Sequence, residues 1–177
     1  MAGWVVLLRG VNVGGHRKLP MAELRAHLSQ AGFADPQSYI QSGNLVVQSA
    51  QDRGVVRDQV RAVIEQNFGF LADVLVLSAK ELNLALAANP FTASDLNPSR
   101  IHLFFHMNSG DVTSIDDLKA ADDPARSESG ALAHYLSTPD GMSVSELAKL
   151  VSARLAKSAT ARNLRTCLKL ADMVAQS

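Results

Sequence analysis

"QSYIQSGNLVVQS", Gln37 to Ser49, sets two short runs rich in β-branched and aromatic residues, "QSYIQ" and "NLVVQS", on either side of Ser42-Gly43. That arrangement predicts two strands joined by a tight hairpin, because glycine takes the positive φ that short hairpin turns demand. What flanks the hairpin then decides the fold. Upstream lies "WVVLLRG" (Trp4–Gly10), an aliphatic run closed by glycine that reads as a buried strand. "PMAELRAHLSQAG" follows, with Met21, Leu24, Leu28 and Ala31 at helical spacing, Pro20 at the first helical position and Gly32 just past the end. Downstream, Val56, Val60, Val63 and Ile64 mark a second amphipathic helix ending near Gly69, and "DVLVLS" is a fourth strand. The order is βαββαβ, the ferredoxin-like plan.

Beyond it the pattern restarts. A helix over Lys80–Asn89 is opened by a capping box of Ser78 and Glu81 and stopped before Pro90. Asn89–Pro98 is rich in turn formers and reads as a linker. "RIHLFFHM" is then a strand, Ile115 and Leu118 mark a short helix, and "ARSESGALAHYL" is a hairpin. A helix over Val144–Leu155 is opened by Ser143 and Glu146, and a last helix over Ala161–Ala175 stands where the first half has its fourth strand. "QSGN" and "ESGA" occupy matching places, which points to a duplication. The expected fold is therefore α+β: two ferredoxin-like (βαββα-type) repeats packed as one unit, antiparallel sheets with helices on one face. Residues 1–89 form the first repeat, 90–98 the linker, and 99–177 the second repeat with its C-terminal helix.

The 177 residues are 47% hydrophobic and 19% charged, which suits a folded domain and argues against disorder. Lys plus Arg and Asp plus Glu both number 17, so no net field attracts nucleic acid or anionic lipid. A single cysteine rules out an intramolecular disulfide and fits a reducing compartment. The start "MAGWVVLLRGVN" lacks both a basic n-region and a bilayer-length apolar run, so a cytoplasmic protein without membrane attachment is expected.

In a βαββαβ sheet the first and third strands are antiparallel neighbours. The loop leaving the first strand and the hairpin before the third therefore share one end, and Gly10–Lys18 should face Gln41–Asn44. The loop, "RGVNVGGHRK", carries Arg9, Arg17 and Lys18, and Gly14 and Gly15 can turn amide groups toward an anion ahead of a helix N-terminus. Asn12, Ser42 and Asn44 add hydrogen-bonding groups. Gly10 and Gly15 have the outer spacing of a P-loop, but His16 and Arg17 stand where that motif needs Lys and Ser or Thr, so a magnesium-dependent NTPase is not expected. The bland alternative is a solvated connection.

Other chemistry-bearing residues favour structural readings. Ser42 lacks a nucleophile elbow and has the turn chemistry of its neighbours. His102 and His106 lie about 13 Å apart along a strand, beyond one metal ion's reach, so no metal is expected. Cys167 falls on an apolar helical stripe with Leu164, Leu168, Ala171 and Val174. Six basic residues (149, 154, 157, 162, 165 and 169) follow one another without an acid, and five aspartates lie between Asp111 and Asp123. These segments are solvated faces, or attract each other, or form a nucleic-acid surface. With aromatics at 5% and none in the strand segments "VVLLRG" and "LVVQS", nucleic acid is disfavoured. Thr160 of "TARN" reads as the last helix's cap, leaving Arg162 and Asn163 in its first turn to reach an anion.

"LLRGVNVGGHRKLPMAEL", "YIQSGNLVV", "NPF" and the late "TARN" closely resemble the bacterial family catalogued as domain of unknown function 1697, across nearly the whole chain. The resemblance implies two ferredoxin-like repeats and no established activity, cofactor or catalytic residue. The chain departs from the family pattern at "DGMSVSEL" (Asp140–Leu147), where a Gly-x-Gly-Arg-Ser-Lys-Leu string is usual, and at Leu164, where an aromatic is usual. Three functional readings stay open. The first is a module binding a small anionic or phosphate-bearing ligand between the loop and the hairpin. The second is a hydrolase or transferase using Ser42 or His106 there, and the third a ligand-free homodimer. No cofactor is implied, and monomer and homodimer are both open.

Overall fold

The computed structural model describes residues 1–91, 97–108 and 112–177. Over them the chain is α+β, with two four-stranded antiparallel sheets and five α-helices. In order the elements are β1 (Ala2–Arg9), α1 (Met21–Gln30), β2 (Ala34–Ser38), β3 (Asn44–Ser49), α2 (Arg53–Phe68), β4 (Asp73–Ser78), α3 (Ala79–Ala87), β5 (Ile101–His106), β6 (Arg126–Glu128), β7 (Ala133–Ser137), α4 (Glu146–Leu155), β8 (Ala159–Asn163) and α5 (Leu164–Ala175). The sheets run β2-β3-β1-β4 and β6-β7-β5-β8. Two compact units divide the chain: Met1–Asn83 with Lys169–Ser177, and Leu84–Leu168. The C-terminal residues thus return to the first unit, where a Cβ on Gly3 would come within 2.8 Å of Val174 Cγ2. The middle of the expected linker, residues 92–96, lies outside the described residues.

In the first unit β1 is central, paired antiparallel with β3 and β4. Val6 and Leu8 join Leu45, Val47, Val74 and Val76 in one core cluster with Leu24 and Leu28 of α1 and Val56, Val60 and Ile64 of α2. Val5, Leu7 and Val46, on the other face, are just as buried. A strand buried on both faces loses hydrophobic alternation, which is why "WVVLLRG" reads as an unbroken run. The Ser78–Glu81 capping box forms as expected: Glu81 N–H donates to Ser78 Oγ (3.2 Å), and Glu81 Oε2 accepts from Ser78 N–H (2.9 Å).

The hairpin is wider than expected. β2 is "ADPQS" rather than "QSYIQ", and residues 39–43 form the connection, closed by Tyr39 N–H donating to the Asn44 carbonyl (2.9 Å). β2 is an edge strand, so Pro36, which has no N–H, fits there, and the register shifts between Ala34 and Gln37. "QSYIQ" has the β-branched and aromatic content expected of a strand, but an edge strand needs no such content.

The second unit packs Phe104 and Leu136 of its sheet against Leu147, Val151 and Leu155 of α4. Three expectations fail here. Ile115 and Leu118 make a single turn, with Leu118 N–H donating to the Ile115 carbonyl (3.1 Å), not a helix. α4 is capped by Ser145, not Ser143: Ser145 Oγ accepts from Ala148 N–H (3.0 Å) while Asp123 Oδ2 accepts from Leu147 N–H (2.9 Å) and the Ser145 hydroxyl (2.8 Å). "ATARN" is not the start of a helix but β8, paired with β5 from His102↔Asn163 to His106↔Ala159. Thr160 therefore caps nothing, and Asn163 takes that role, its Oδ1 accepting from Thr166 N–H (2.9 Å) at the head of α5. No helix among the described residues is long and apolar enough to cross a membrane.

Candidate functional site

The loop after β1 meets the β2–β3 connection directly. Asn12 stitches them together: its amide group donates to the carbonyls of Leu19 (2.9 Å) and Gln41 (2.6 Å), and its oxygen accepts from Leu19 N–H (2.7 Å). Leu8 N–H also donates to the Gly43 carbonyl (2.8 Å). The contact is closed rather than hollow. Val11 is buried, and a Cβ placed on Gly43 would lie 2.7 Å from Leu8 Cβ and 2.8 Å from Val11 Cγ2. Aliphatic packing and Asn12 therefore occupy the junction, and a ligand would have to lie on its outer surface.

That outer surface is a small hairpin of its own. Asn12 N–H donates to the Arg17 carbonyl and His16 N–H to the Val13 carbonyl (both 3.1 Å), with Gly14 and Gly15 at φ 59° and 77°. Positive φ at both central positions is the type I′ turn, which explains the Gly-Gly pair. The glycines are turn formers first, and their exposed amides are what they offer a ligand. Residues 12–18 are all exposed.

The cations differ in their surroundings. Arg9 is paired with Asp73, its Nη2 and Nε reaching one carboxylate oxygen at 2.7 and 3.1 Å. The Arg17 guanidinium lies 6.0 Å from the Phe70 ring centroid, the outer limit of a cation–π contact. His16, Arg17 and Lys18 make no salt bridge among the described residues. Ile40, in the facing connection, is exposed at φ 52°, a costly conformation for a β-branched residue. Phe70, Asp73 and Ile40 were missed by sequence reasoning. Register could have found Asp73, because it sits opposite Arg9 in the β1–β4 ladder.

The remaining candidates are held by the fold. Asn44 is fully buried, its amide group donating to the Tyr39 carbonyl (3.1 Å) and Ser42 Oγ (3.0 Å). That bond gives Ser42 a donor, which does nothing to withdraw its proton as a nucleophile requires. Arg162 and Asn163 belong to the second unit. Arg162 donates to Thr160 Oγ1 (3.0 Å) and the Ala161 carbonyl (2.7 Å), and burial pulls its pKa down to about 10. His106 packs edge-on against His134 with ring centroids 4.5 Å apart. Arg154 of the basic run forms a two-pronged ion pair with Asp117 of the acidic run (3.1 Å each), a contact of the kind one of the three sequence readings allows.

Cys167 is fully buried, and burial pushes its thiol up to about 12. Its thiolate is negligible at neutral pH. A thiol reagent at neutral pH should therefore leave the native protein unlabelled and modify one cysteine after unfolding; rapid labelling of the native chain would contradict the burial.

Residues 1–133 match the family model described as "Protein of unknown function (DUF1697)". The whole chain is similar to the solved structure of the conserved bacterial protein SP0830 from Streptococcus pneumoniae. The two share 25% sequence identity at a TM-score of 0.80, over 98% of each chain. No curated protein matches it significantly.

Proposed function

The chain belongs to the DUF1697 family, and from that premise we propose that it is a binding module for a small anionic or phosphate-bearing ligand, held on the outer face of the hairpin at residues 12–18. One observation carries the reading: His16, Arg17 and Lys18 stand exposed and without a salt bridge among the described residues, beside the exposed amides of Gly14 and Gly15. Every carboxylate is absent from residues 10–22, so nothing local neutralises the tip. Asn12 fixes the hairpin to the body of the unit, which lowers the ordering cost of binding. We also propose that the two units descend from one ferredoxin-like unit by duplication, supported by the shared strand order, second-third-first-fourth, in both sheets. A buried, single cysteine accords with a cytoplasmic setting.

Thermal denaturation with inorganic phosphate, nucleotides and sugar phosphates tests the binding site. A ligand at a hundred times its Kd stabilises the native state by about 2.7 kcal/mol, and the midpoint should rise by roughly 5–10 °C. The shift should shrink as salt screens the exposed charges. It should vanish in Arg17→Ala/Lys18→Ala. If no such ligand moves the midpoint, or the double variant keeps the shift, the reading is wrong.

A further inference from the structure

Within the second unit a cavity of about 350 Å³ opens beside β6. That volume falls in the range of small-ligand pockets. Phe91, Leu118 and Leu147 give it an apolar wall, while Lys119, Arg126, Glu128 and Asp123 supply charge. Asp123 is already taken. Its Oδ1 accepts from Ala125 N–H (2.8 Å), and its Oδ2 from the Ser145 hydroxyl and Leu147 N–H. At the head of α4, Leu147 N–H is thus taken by Asp123 and Ala148 N–H by Ser145 Oγ. What remains is two cations against one carboxylate, and neither Lys119 nor Arg126 forms a salt bridge among the described residues. Both are exposed, so neither holds the fold together. β6 closes its sheet and, among the described residues, pairs only with β7, leaving its other edge without a strand.

We propose that this cavity is a binding site for a carboxylate carried on a compact apolar body. The carboxylate takes Lys119 and Arg126, with the guanidinium fork suited to two-point contact, and the apolar body lies against Phe91, Leu118 and Leu147. Two sources supply that chemistry: a free aryl or alkyl carboxylic acid, or the C-terminal residue of a peptide that adds to the open edge of β6. The site is independent of the anion-binding hairpin and stands or falls separately.

Amide chemical-shift titrations distinguish these sources. The probes are 3-phenylpropionate, its methyl ester, acetyl-Ala-Phe with a free C-terminus, and the same peptide amidated. Saturable shifts at Lys119, Leu147 and the β6 residues are expected with the free acids and not with the ester or amide. Lys119→Ala/Arg126→Ala should weaken binding by about tenfold or more, the worth of one charge-assisted contact, while the unfolding midpoint stays put. Tighter binding by the peptide, with the largest shifts on β6 amides, assigns the site to chain ends; tighter binding by phenylpropionate assigns it to small acids. Absence of saturable shifts with both acids, equal binding of ester and acid, or undiminished binding by the double variant would overturn the proposal.

Discussion

Gly43→Ala should lower folding stability by about 2–4 kcal/mol, whereas Gly14→Ala should cost only about 1–2 kcal/mol. Both residues adopt positive φ, 77° and 59°, where a side chain brings a comparable backbone penalty. They differ in space. A Cβ at Gly14 meets nothing within 4 Å, but at Gly43 it strikes Leu8 Cβ at 2.7 Å, Val11 Cγ2 at 2.8 Å and the Leu8 carbonyl at 3.3 Å. Leu8 belongs to the central strand and is buried on all sides, so it cannot step aside without disturbing the core cluster. Relief must come from pushing the β2–β3 connection away from the loop, which would also strain the Asn12–Gln41 bond. Urea unfolding of the two variants at neutral pH measures the difference, and equal losses would show that the junction is not tightly packed. Because the cationic hairpin is anchored through this junction, Gly43→Ala should also weaken the proposed anion binding while leaving Arg17 and Lys18 in place.

The same junction shows what a sequence reveals of such a site. That the two loops share an end follows from strand order alone, and element order was legible because α1 and α2 carry helical periodicity, β1 and β4 are unbroken apolar runs, and Ser78 and Glu81 announce α3. Whether the loops enclose a hollow was not legible, because it turns on Val11 packing inward and Asn12 bonding across to Gln41, in a segment that reads as polar and glycine-rich. The two misplaced strands have one cause. β2 and β8 lie at sheet edges, where a strand is defined by its partner's unpaired backbone groups more than by its own side chains. "ADPQS" contains proline, and "ATARN" has neither alternation nor β-branched content beyond Thr160. Once "ATARN" is taken as helix, Thr160 looks like a cap; once it pairs with β5, Asn163 becomes one.

His134→Ala should cost about 2–4 kcal/mol through groups left unpaired and the space vacated. His134 has no solvent exposure. Its Nδ1 accepts from Gly130 N–H (3.3 Å), which assigns the ring proton to Nε2, and Nε2–H donates to the Thr113 carbonyl (2.8 Å). The ring thus ties the β6–β7 turn to the segment after β5, while His106 Nε2–H holds the Gly130 carbonyl (3.1 Å) alongside. A second proton on His134 would set N–H against N–H at Gly130. Burial, followed by the neighbouring His106, lowers the His134 pKa, against smaller opposing effects of the Thr113 bond and Asp116. The folded state therefore binds fewer protons than the unfolded chain, whose histidines titrate near ~6.5. Stability is full above that pH and falls as pH drops below it. His102, also lowered chiefly by burial, adds to the same window, whereas Asp116, Asp117 and Asp123, all lowered by hydrogen bonds, act only in the more acidic carboxylate range. Urea midpoints should thus be flat from roughly pH 8 to 7, decline from about 6.5 to 5, and decline less steeply in His134→Ala. An unchanged slope in that variant would mean the buried ring accepts its second proton without cost, and the assigned tautomer would have to be abandoned.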